Sequence, residues 1–454
     1  MRRLLITCAC AIVLAGCATS ESTKNYKLEL QAGNIPAATE RAVKESDLNK
    51  EGKPEDLLWS LEAGTMLRYN TLSERSTAML DGAEDLMKDD DTRNAVASGG
   101  QQVAAVLTND NMLPYSPNVY DTVMLNTYKA LNFWQMGDHD NARIEWNRTD
   151  DRQRRAAEHF ESEIAKQKDE VASSDNSDLV NRSLSSSGAA FDKAGVDVEQ
   201  WAPYAGYINP ASLYLHGLYF LLNGENKADF DKSKSSLERA FALTQNAQVK
   251  ADLASARKPG KIKPAVWVVF ENGMAASKRE LRIDLPLFLV TGALNYTGIA
   301  LPMLQDGVPA YDHIAIGRQQ SQHLASMDTI IQGEFKTRFN AILVREIIRA
   351  TAKTVMQKQL NDQNPWLGLA AAIAQAASTQ ADLRSWLTLP HDFQLMQVPY
   401  PGNNILTLTL PGPETEIEIP LPEEKRSLVV YVRALNTTAP PSIQILPSKA
   451  AIRS

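Results

Sequence analysis

The spacing of apolar residues changes once along the chain, and this change divides the sequence into two parts. From residue 26 to 256, apolar side chains recur three and four positions apart, which is the spacing of amphipathic helices. Pro259, Gly260 and Pro264 then interrupt the pattern. Beyond them, β-branched runs such as residues 266–270 are separated by turns, as strands are. We therefore predict an α+β protein with a helical domain at 26–256 and a smaller α+β domain at 262–446.

The N-terminal residues have the order of a secretory signal. Arg2 and Arg3 form a positive region, residues 4–14 form an apolar run, and the small residues Ala15 and Gly16 lead to Cys17. The apolar run is too short to span a bilayer, which takes about twenty residues. Residues 14–17, Leu-Ala-Gly-Cys, resemble the lipobox of bacterial lipoproteins. The alternatives are an ordinary N-terminal helix or a cleaved signal with an incidental cysteine.

The lipobox resemblance implies a localisation. Residues 1–16 are then a signal peptide, and the acylated Cys17 begins a lipidated tether at 17–25. Three acyl chains are more than the two signals that stable membrane anchoring requires. Residue 18 is Ala rather than Asp, which implies sorting to the bacterial outer membrane, with the protein facing the periplasm. The first expected partner is thus the lipid bilayer, bound through Cys17.

Composition excludes several classes of function. Cys8 and Cys10 lie in the signal, so Cys17 is the only cysteine of the mature chain, and disulfides, thiolate catalysis and cysteine metal sites are excluded. Removing Arg2 and Arg3 from the 47 basic residues leaves 45 against 54 acidic ones, a formal charge of −9. A nucleic-acid partner is not expected without a basic face. The six histidines form no His-Glu-x-x-His pair, and no phosphate-binding loop appears, so we expect neither a metal nor a cofactor.

The helical domain contains stretches that read as antiparallel helix pairs. The clearest covers residues 119–146, in which six positions match the spacing of tetratricopeptide (TPR) repeats: Tyr128, Ala130, Phe133, Gly137, Ala142 and Trp146. Weaker echoes occur around Gly64 and Gly217, at irregular intervals. We predict an irregular TPR-like domain and assign these six positions to protein binding. An α-helical bundle with chance matches is the alternative. A polar stretch at about 171–195 is predicted to be a flexible insertion.

The second domain is predicted to contain one small antiparallel sheet crossed by a long helix. The helix covers residues 327–359, and an Ala-rich helix follows Pro365, for which membrane insertion is the less favoured reading. The predicted strands are short β-rich runs or alternating patterns bounded by turn residues. They are residues 266–270, 281–286, 299–302, 314–316, 393–398, 405–410, 414–419 and 428–432.

Two polar sets are candidates for chemistry. Glu271, Lys278 and Glu280 surround a turn, and two carboxylates flanking a bond are what glycan hydrolysis needs. The alternative is that the carboxylates hold the lysine or face water. Asp382, Arg384 and Trp386 precede Leu389-Pro390. We interpret this second set as an ion pair and an aromatic plug between helix and sheet, with a ligand site as the alternative. No catalytic residue is assigned.

Several short motifs, in order, resemble a family of uncharacterised bacterial lipoproteins with a TPR-like N-terminal half. They are residues 128–132 with 137–138 and 142–143, residues 270–273 with Lys278 and Glu280, residues 299–302, and residues 381–386 with 389–390. They are spread over residues 60–400. The resemblance supplies no catalytic residues. The genomic setting of some members implies, by association, a role in envelope assembly.

Together these features favour a non-enzymatic scaffold that binds another envelope protein or lipoprotein. The rival is a glycan-binding or glycan-active protein that uses Glu271 and Glu280 as acids and Trp201 or Trp386 as sugar platforms. A structural role in a secretion or surface-appendage complex is a third possibility. It differs from the scaffold hypothesis only in the identity of the partner.

Replacing Cys17 with serine is expected to remove the anchor, because the thiol is the group that is acylated. In cells grown with labelled palmitate, the unaltered protein should carry the label and sediment with membranes, whereas Cys17→Ser protein should do neither. Cys8→Ser, which changes the signal outside the lipobox, serves as the control and should keep the label. Labelled Cys17→Ser protein would contradict the assignment.

Overall fold

A computed structural model describes residues 21–96, 113–173, 177–194, 197, 208–258, 263–288, 294–364, 366, 380–412 and 415–449. Cys17, Trp201 and the Ala-rich segment at 367–377 lie outside the described residues. Within the described ranges, no helix is both long and apolar enough to cross a membrane.

The described helices lie almost entirely in the first half of the chain. They are α1 (21–31), α2 (Ile35–Glu45), α3 (Leu57–Tyr69), α4 (Ser73–Val96), α5 (Val119–Gln135), α6 (His139–Ser173), α7 (Ser177–Lys193), α8 (Pro210–Asn223), α9 (Lys227–Thr244), α10 (Ala247–Ala256) and α11 (Met327–Gln363). Several begin at an Asn or Asp that caps the first turn. Asp56 Oδ1 accepts from the Trp59 amide at 2.9 Å, and Asn226 Oδ1 accepts from the Asp229 amide at 3.1 Å.

Helix pairs form at three of the predicted places: α3 with α4, α5 with α6, and α8 with α9. The first and third pairs share one close contact. Ser76 Oγ of α4 donates a hydrogen bond to the Gly64 carbonyl of α3 at 2.7 Å, and Ser233 Oγ of α9 donates to the Gly217 carbonyl of α8 at 2.8 Å. A glycine on the first helix lets the second approach closely. The relation of these pairs to TPR repeats stays a prediction.

Strands fill the second half of the chain and form three sheets. They are β1 (Ala265–Asn272), β2 (Ser277–Phe288), β3 (Leu294–Gln305), β4 (Ala315–Ile316), β5 (Gln319–Gln320), β6 (Gln322–Ser326), β7 (Asp392–Pro399), β8 (Ile405–Leu410), β9 (Thr415–Pro420), β10 (Leu428–Ala434) and β11 (Ser442–Pro447). The sheets have the strand orders β11-β10-β1-β7-β6, β2-β3 and β5-β4-β8-β9. Among the described pairings, β1 with β10 is parallel and the others are antiparallel.

The five-stranded sheet lies between the helices and the four-stranded sheet. Along β1 the side chains alternate: Trp267 and Val269 pack with the helices, whereas Val266 and Val268 pack against the four-stranded sheet. All eight residues of β1 are buried, because both faces of the strand are covered. The helical part and the five-stranded sheet therefore share one apolar core.

Helices α3, α5 and α8 form an inner layer between this sheet and the outer helices α4, α6 and α9. Every residue of α3 except Leu58 is buried, as is every residue of α8 except Leu222. In α5 no residue is exposed. A helix buried on all sides must be covered on all sides. The inner face of the helical layer is thus occupied by the chain's own sheet.

A hairpin–helix unit, made of β2, β3, α7 and α11, has its own apolar cluster. Phe191 of α7 lies against Phe339 of α11, with ring centroids 5.8 Å apart, and Ile283 and Leu301 of the hairpin join them. The prediction of a flexible insertion at 171–195 is wrong for residues 177–193, which form α7. Its polar sequence carries a buried stripe at Val180, Ser183, Ser187 and Phe191, spaced three and four residues apart, and this stripe packs on the unit.

The predicted α+β class is confirmed. Each predicted strand segment overlaps an observed strand. The five-stranded sheet contains strands from before and after the long helix α11, as predicted. Two features differ from the prediction. The strands divide among three sheets instead of one. α11 packs chiefly on β3 and α7 of the hairpin–helix unit, because these elements supply apolar partners such as Leu301 and Phe191. The domain boundary at 257–261 stays a prediction.

Gly217→Ala is expected to destabilise the protein, because an added Cβ would lie 2.7 Å from Leu237 Cγ. Overpacking of this kind costs about 1–3 kcal/mol of unfolding free energy. Gly188→Ala in α7 is the matched control, since nothing lies within 4 Å of its Cβ position and alanine favours helix there. Urea unfolding followed by circular dichroism compares the two variants. Equal stability of both with the unaltered protein would contradict the close contact.

Candidate functional site

The six predicted repeat positions mostly lie inside the protein. Tyr128, Ala130, Ala142 and Trp146 are at most 1% exposed, so they cannot contact a partner directly, and their assignment to protein binding is wrong. They pack α5 against α6 and against the sheet. Phe133 is half-buried, and Gly137 forms the α5–α6 turn with a φ of +75°, which favours glycine.

Glu271 lies in the contact between the helical layer and the five-stranded sheet. It is 2% exposed, the Tyr128 hydroxyl donates to its carboxylate, and Arg433 Nε lies 3.8 Å from Oε2. The space beside it measures about 10 Å³, roughly the size of one water molecule. No sugar ring fits there, so Glu271 is a structural carboxylate.

Glu280 is held in a different place. Its Oε2 accepts the Ala381 amide at 2.9 Å, and its Oε1 accepts from Arg282 Nε at 2.7 Å. Since Glu280 is half-buried at the hairpin and Glu271 is enclosed in the core, the structure does not bring the predicted acid pair to one accessible site. The glycan-hydrolase alternative loses its two acids.

Trp386 fills a gap between α3, α5 and the sheet. It is 1% exposed, its Nε1 donates to Thr65 Oγ1 at 3.0 Å, and its ring meets the Tyr128 ring edge-on with centroids 5.8 Å apart. The predicted aromatic plug is therefore confirmed, and a role for Trp386 as a sugar platform is excluded by its burial. The other predicted platform, Trp201, lies outside the described residues.

Glu62 is the buried carboxylate that organises this region, and no motif of the sequence indicated it. Glu62 of α3 accepts hydrogen bonds from the Leu387 amide, from the Thr388 amide and hydroxyl, and from the Tyr26 hydroxyl at 3.1 Å. Burial raises the pKa of Glu62 to about 7, although these hydrogen bonds act in the opposite direction. An acidic residue in an apolar helix is a visible signal, but two of its partners, Leu387 and Thr388, lie more than 300 residues away along the chain.

Lys278, Asp382 and Arg384 line one cavity, which we call the junction cavity. It lies where the hairpin–helix unit meets residues 113–120 and 381–384, and it has a volume of about 310 Å³. This is within the range of small-ligand sites, roughly 300–1,000 Å³. Its walls also include Tyr115 and Phe335. The cavity thus brings together Lys278 from the first predicted polar set and Asp382 and Arg384 from the second.

Asp382 and Arg384 form the predicted ion pair at the cavity wall. Arg384 Nε donates to Asp382 Oδ1 at 2.9 Å and Nη2 donates to Oδ2 at 2.8 Å. Arg384 Nη1 also donates to the Leu113 carbonyl at 2.8 Å, and the guanidinium lies over the Tyr115 ring, 5.8 Å from its centroid. The pair therefore joins residues 381–384 to residues 113–115 and fixes this side of the cavity.

Lys278 is one of four half-buried cations that line the cavity. Its Nζ donates to the Arg384 carbonyl at 3.0 Å. Burial lowers the pKa of Lys278 below its usual value, against the opposing effect of the Asp382 and Asp121 carboxylates. Within the described part of the chain, no group of three or more His, Cys, Asp or Glu side chains is arranged to hold a metal ion.

The contribution of Glu62 to the free energy of unfolding is expected to fall as pH rises from about 4.5 to about 7. In that window the folded protein keeps the Glu62 proton, while the unfolded chain, with an ordinary pKa, has lost it. The Glu62 contribution is at most about 1.4 kcal/mol per pH unit. Glu62→Gln should remove it, so the difference in unfolding free energy between the two proteins should change with pH.

Glu84→Gln is the control for this measurement. The Lys129 ammonium helps to hold the pKa of the Glu84 carboxyl at about 2, against the effect of burial. Above about pH 5.5, roughly one unit above the ordinary pKa of a glutamate, Glu84 is therefore ionised in both the folded and the unfolded protein. Its replacement should lower stability by the same amount at each pH there. A Glu62→Gln effect that does not vary between about pH 5 and pH 8 would contradict the prediction.

Comparisons with protein-family models, with curated proteins and with solved structures find no match for this chain.

Proposed function

We propose that the protein is a lipid-anchored scaffold of the bacterial cell envelope, which faces the periplasm and binds a segment of another envelope protein in the junction cavity. The observation that carries the binding role is the cavity itself. It combines a ligand-sized volume with aromatic, apolar and charged walls. The lipobox motif supplies the localisation part of the proposal.

The covered inner face of the helical layer directs the proposal to this cavity. Helical repeats commonly bind partners on an extended inner surface. Here the side chains of α3, α5 and α8 are buried against the sheet, so that surface is not open to a second protein. The outer helices present mainly charged side chains that pair along the helix, such as Lys227 with Asp231 at 2.6 Å. Exposed pairs of this kind contribute little binding energy.

A binding role is favoured over hydrolysis by the placement of the acids. Glu271 is enclosed and Glu280 is engaged with Arg282 and the Ala381 amide. Asp382, the carboxylate of the cavity that the sequence indicated, forms its ion pair with Arg384. Since a general acid or base must reach the substrate, these engaged groups support binding better than catalysis.

Site-specific photo-crosslinking in intact cells tests the proposal. A benzophenone amino acid at Ile342, which lines the cavity from α11, should crosslink to one discrete envelope protein. The same group at Lys234, an exposed position of α9 away from the cavity walls, serves as the control and should not. Cys17→Ser protein should lose the Ile342 crosslink, because it no longer shares a membrane surface with the partner. Equal crosslinking at both positions, or none at Ile342, would overturn the proposal.

A further inference from the structure

We propose that the junction cavity recognises an anionic group carried on an apolar body, and that the Lys278 ammonium is the cation that pairs with it. This inference rests on the proposed binding role of the cavity and narrows the chemistry of what is bound. The anionic group is either an acidic side chain next to apolar residues of a partner protein or the head of a free organic acid. Both present the same chemistry.

The donors of the Lys278 ammonium group are not all engaged in hydrogen bonds with described residues. An ammonium group has three donors. Nζ donates to the Arg384 carbonyl at 3.0 Å, and among the residues that the structure describes no carboxylate lies within 4 Å of it. At least one donor is thus left to face the cavity that Lys278 lines. A charge-assisted hydrogen bond from this group to an incoming anion is stronger than one between neutral groups.

The other cations of the cavity wall are already engaged. Arg384 is bound by Asp382 through two parallel hydrogen bonds. Arg338 donates to Asn118 Oδ1 at 2.7 Å and lies 3.4 Å from Glu334 Oε1. Arg345 also has an interaction partner. Lys278 is therefore the cation whose charge a ligand can meet without breaking an existing ion pair.

The charge of the whole lining has the matching sign. It contains four cations, Lys278, Arg338, Arg345 and Arg384, but two carboxylates, Glu346 and Asp382, which leaves an excess of positive charge. A cleft whose lining carries an excess of one sign of charge attracts ligands of the opposite sign.

The apolar part of the cavity wall indicates that the rest of the ligand is apolar. Pro302, Leu304, Ile331, Phe335 and Ile342 give the cavity an apolar side. Burying an apolar chain there is favourable, because it removes apolar surface from water. An inorganic anion would leave this side without a partner, so the structure favours an amphipathic acid. The lowered pKa of Lys278 agrees, because the burial that disfavours its charge would be offset by an anion beside it.

Binding of anilinonaphthalene sulfonate, an apolar fluorescent anion, tests the proposal on the full mature chain. Lys278→Met should weaken its binding about tenfold, the effect of losing one charge-assisted hydrogen bond of about 1.4 kcal/mol. Lys278→Arg should restore part of the affinity. Lys425→Met, at an exposed lysine outside the cavity, should leave it unchanged. Octanoate should displace the dye, whereas octanol at the same concentration should not.

A second measurement does not depend on whether Lys278→Met folds. With isotope-labelled methyl groups on the lysine amines of the unaltered protein, octanoate should raise the pKa of Lys278 toward its usual value. Displacement by octanol as good as by octanoate, or a Lys278 resonance that does not respond to octanoate, would overturn the inference. If octanoate binds through Lys278 but Ile342 captures no protein, the anion site stands and the scaffold role fails. If octanoate also abolishes the Ile342 crosslink, the anion belongs to the partner.

Discussion

The contact between the inner helices and the five-stranded sheet is the interaction on which the rest of the structure depends. It buries Trp134, Trp267 and Trp386, each at most 1% exposed, together with most of α3, α5 and α8. Burying one large apolar side chain contributes about 1.5–3 kcal/mol, so this contact supplies much of the stability of both halves. Neither half covers its own apolar face, and the two are therefore parts of one core.

Polar links fix how the two layers meet. Trp134 Nε1 donates to the Pro447 carbonyl at 2.8 Å, Gln444 Nε2 donates to the Arg68 carbonyl at 2.8 Å, and Trp267 Nε1 donates to Asp252 at 3.0 Å. Apolar contacts alone tolerate sliding, whereas a buried donor or acceptor left unpaired costs about 1–3 kcal/mol. These side chains therefore favour one position of the sheet on the helices. Glu271 of the sheet carries a desolvation cost in this contact, and the Tyr128 hydroxyl of α5, which donates to its carboxylate, helps to offset that cost.

Local sequence patterns were enough to predict much of the fold. The β-rich runs of β1 and β10 and the periodicity of α11 are properties of short segments, and they predicted these elements. α8 is apolar on every side and is buried on nearly every side, a signal that entered none of the predictions. The pairing of β1 with β10 was beyond reach, since it joins strands about 160 residues apart and no short motif encodes it. The roles of Arg433 and Glu62 could not be predicted either, because their partners Glu271 and Leu387 also lie far away along the chain.

The covered inner face of the helical layer limits where a protein with this fold can bind a partner. Once the sheet occupies that face, a partner is left with outer helices, whose exposed ion pairs are already well solvated, or with gaps between units that do not share a cluster. The junction cavity is such a gap, because the hairpin–helix unit has its own apolar cluster and meets the helical layer along only part of its length. The sequence placed Lys278, Asp382 and Arg384 in its candidate sets, but the walls from α11 and residues 113–120 arise only on folding. Two units that pack on each other only in part thus leave a ligand-sized space between them, whereas a single repeat array presents a continuous surface.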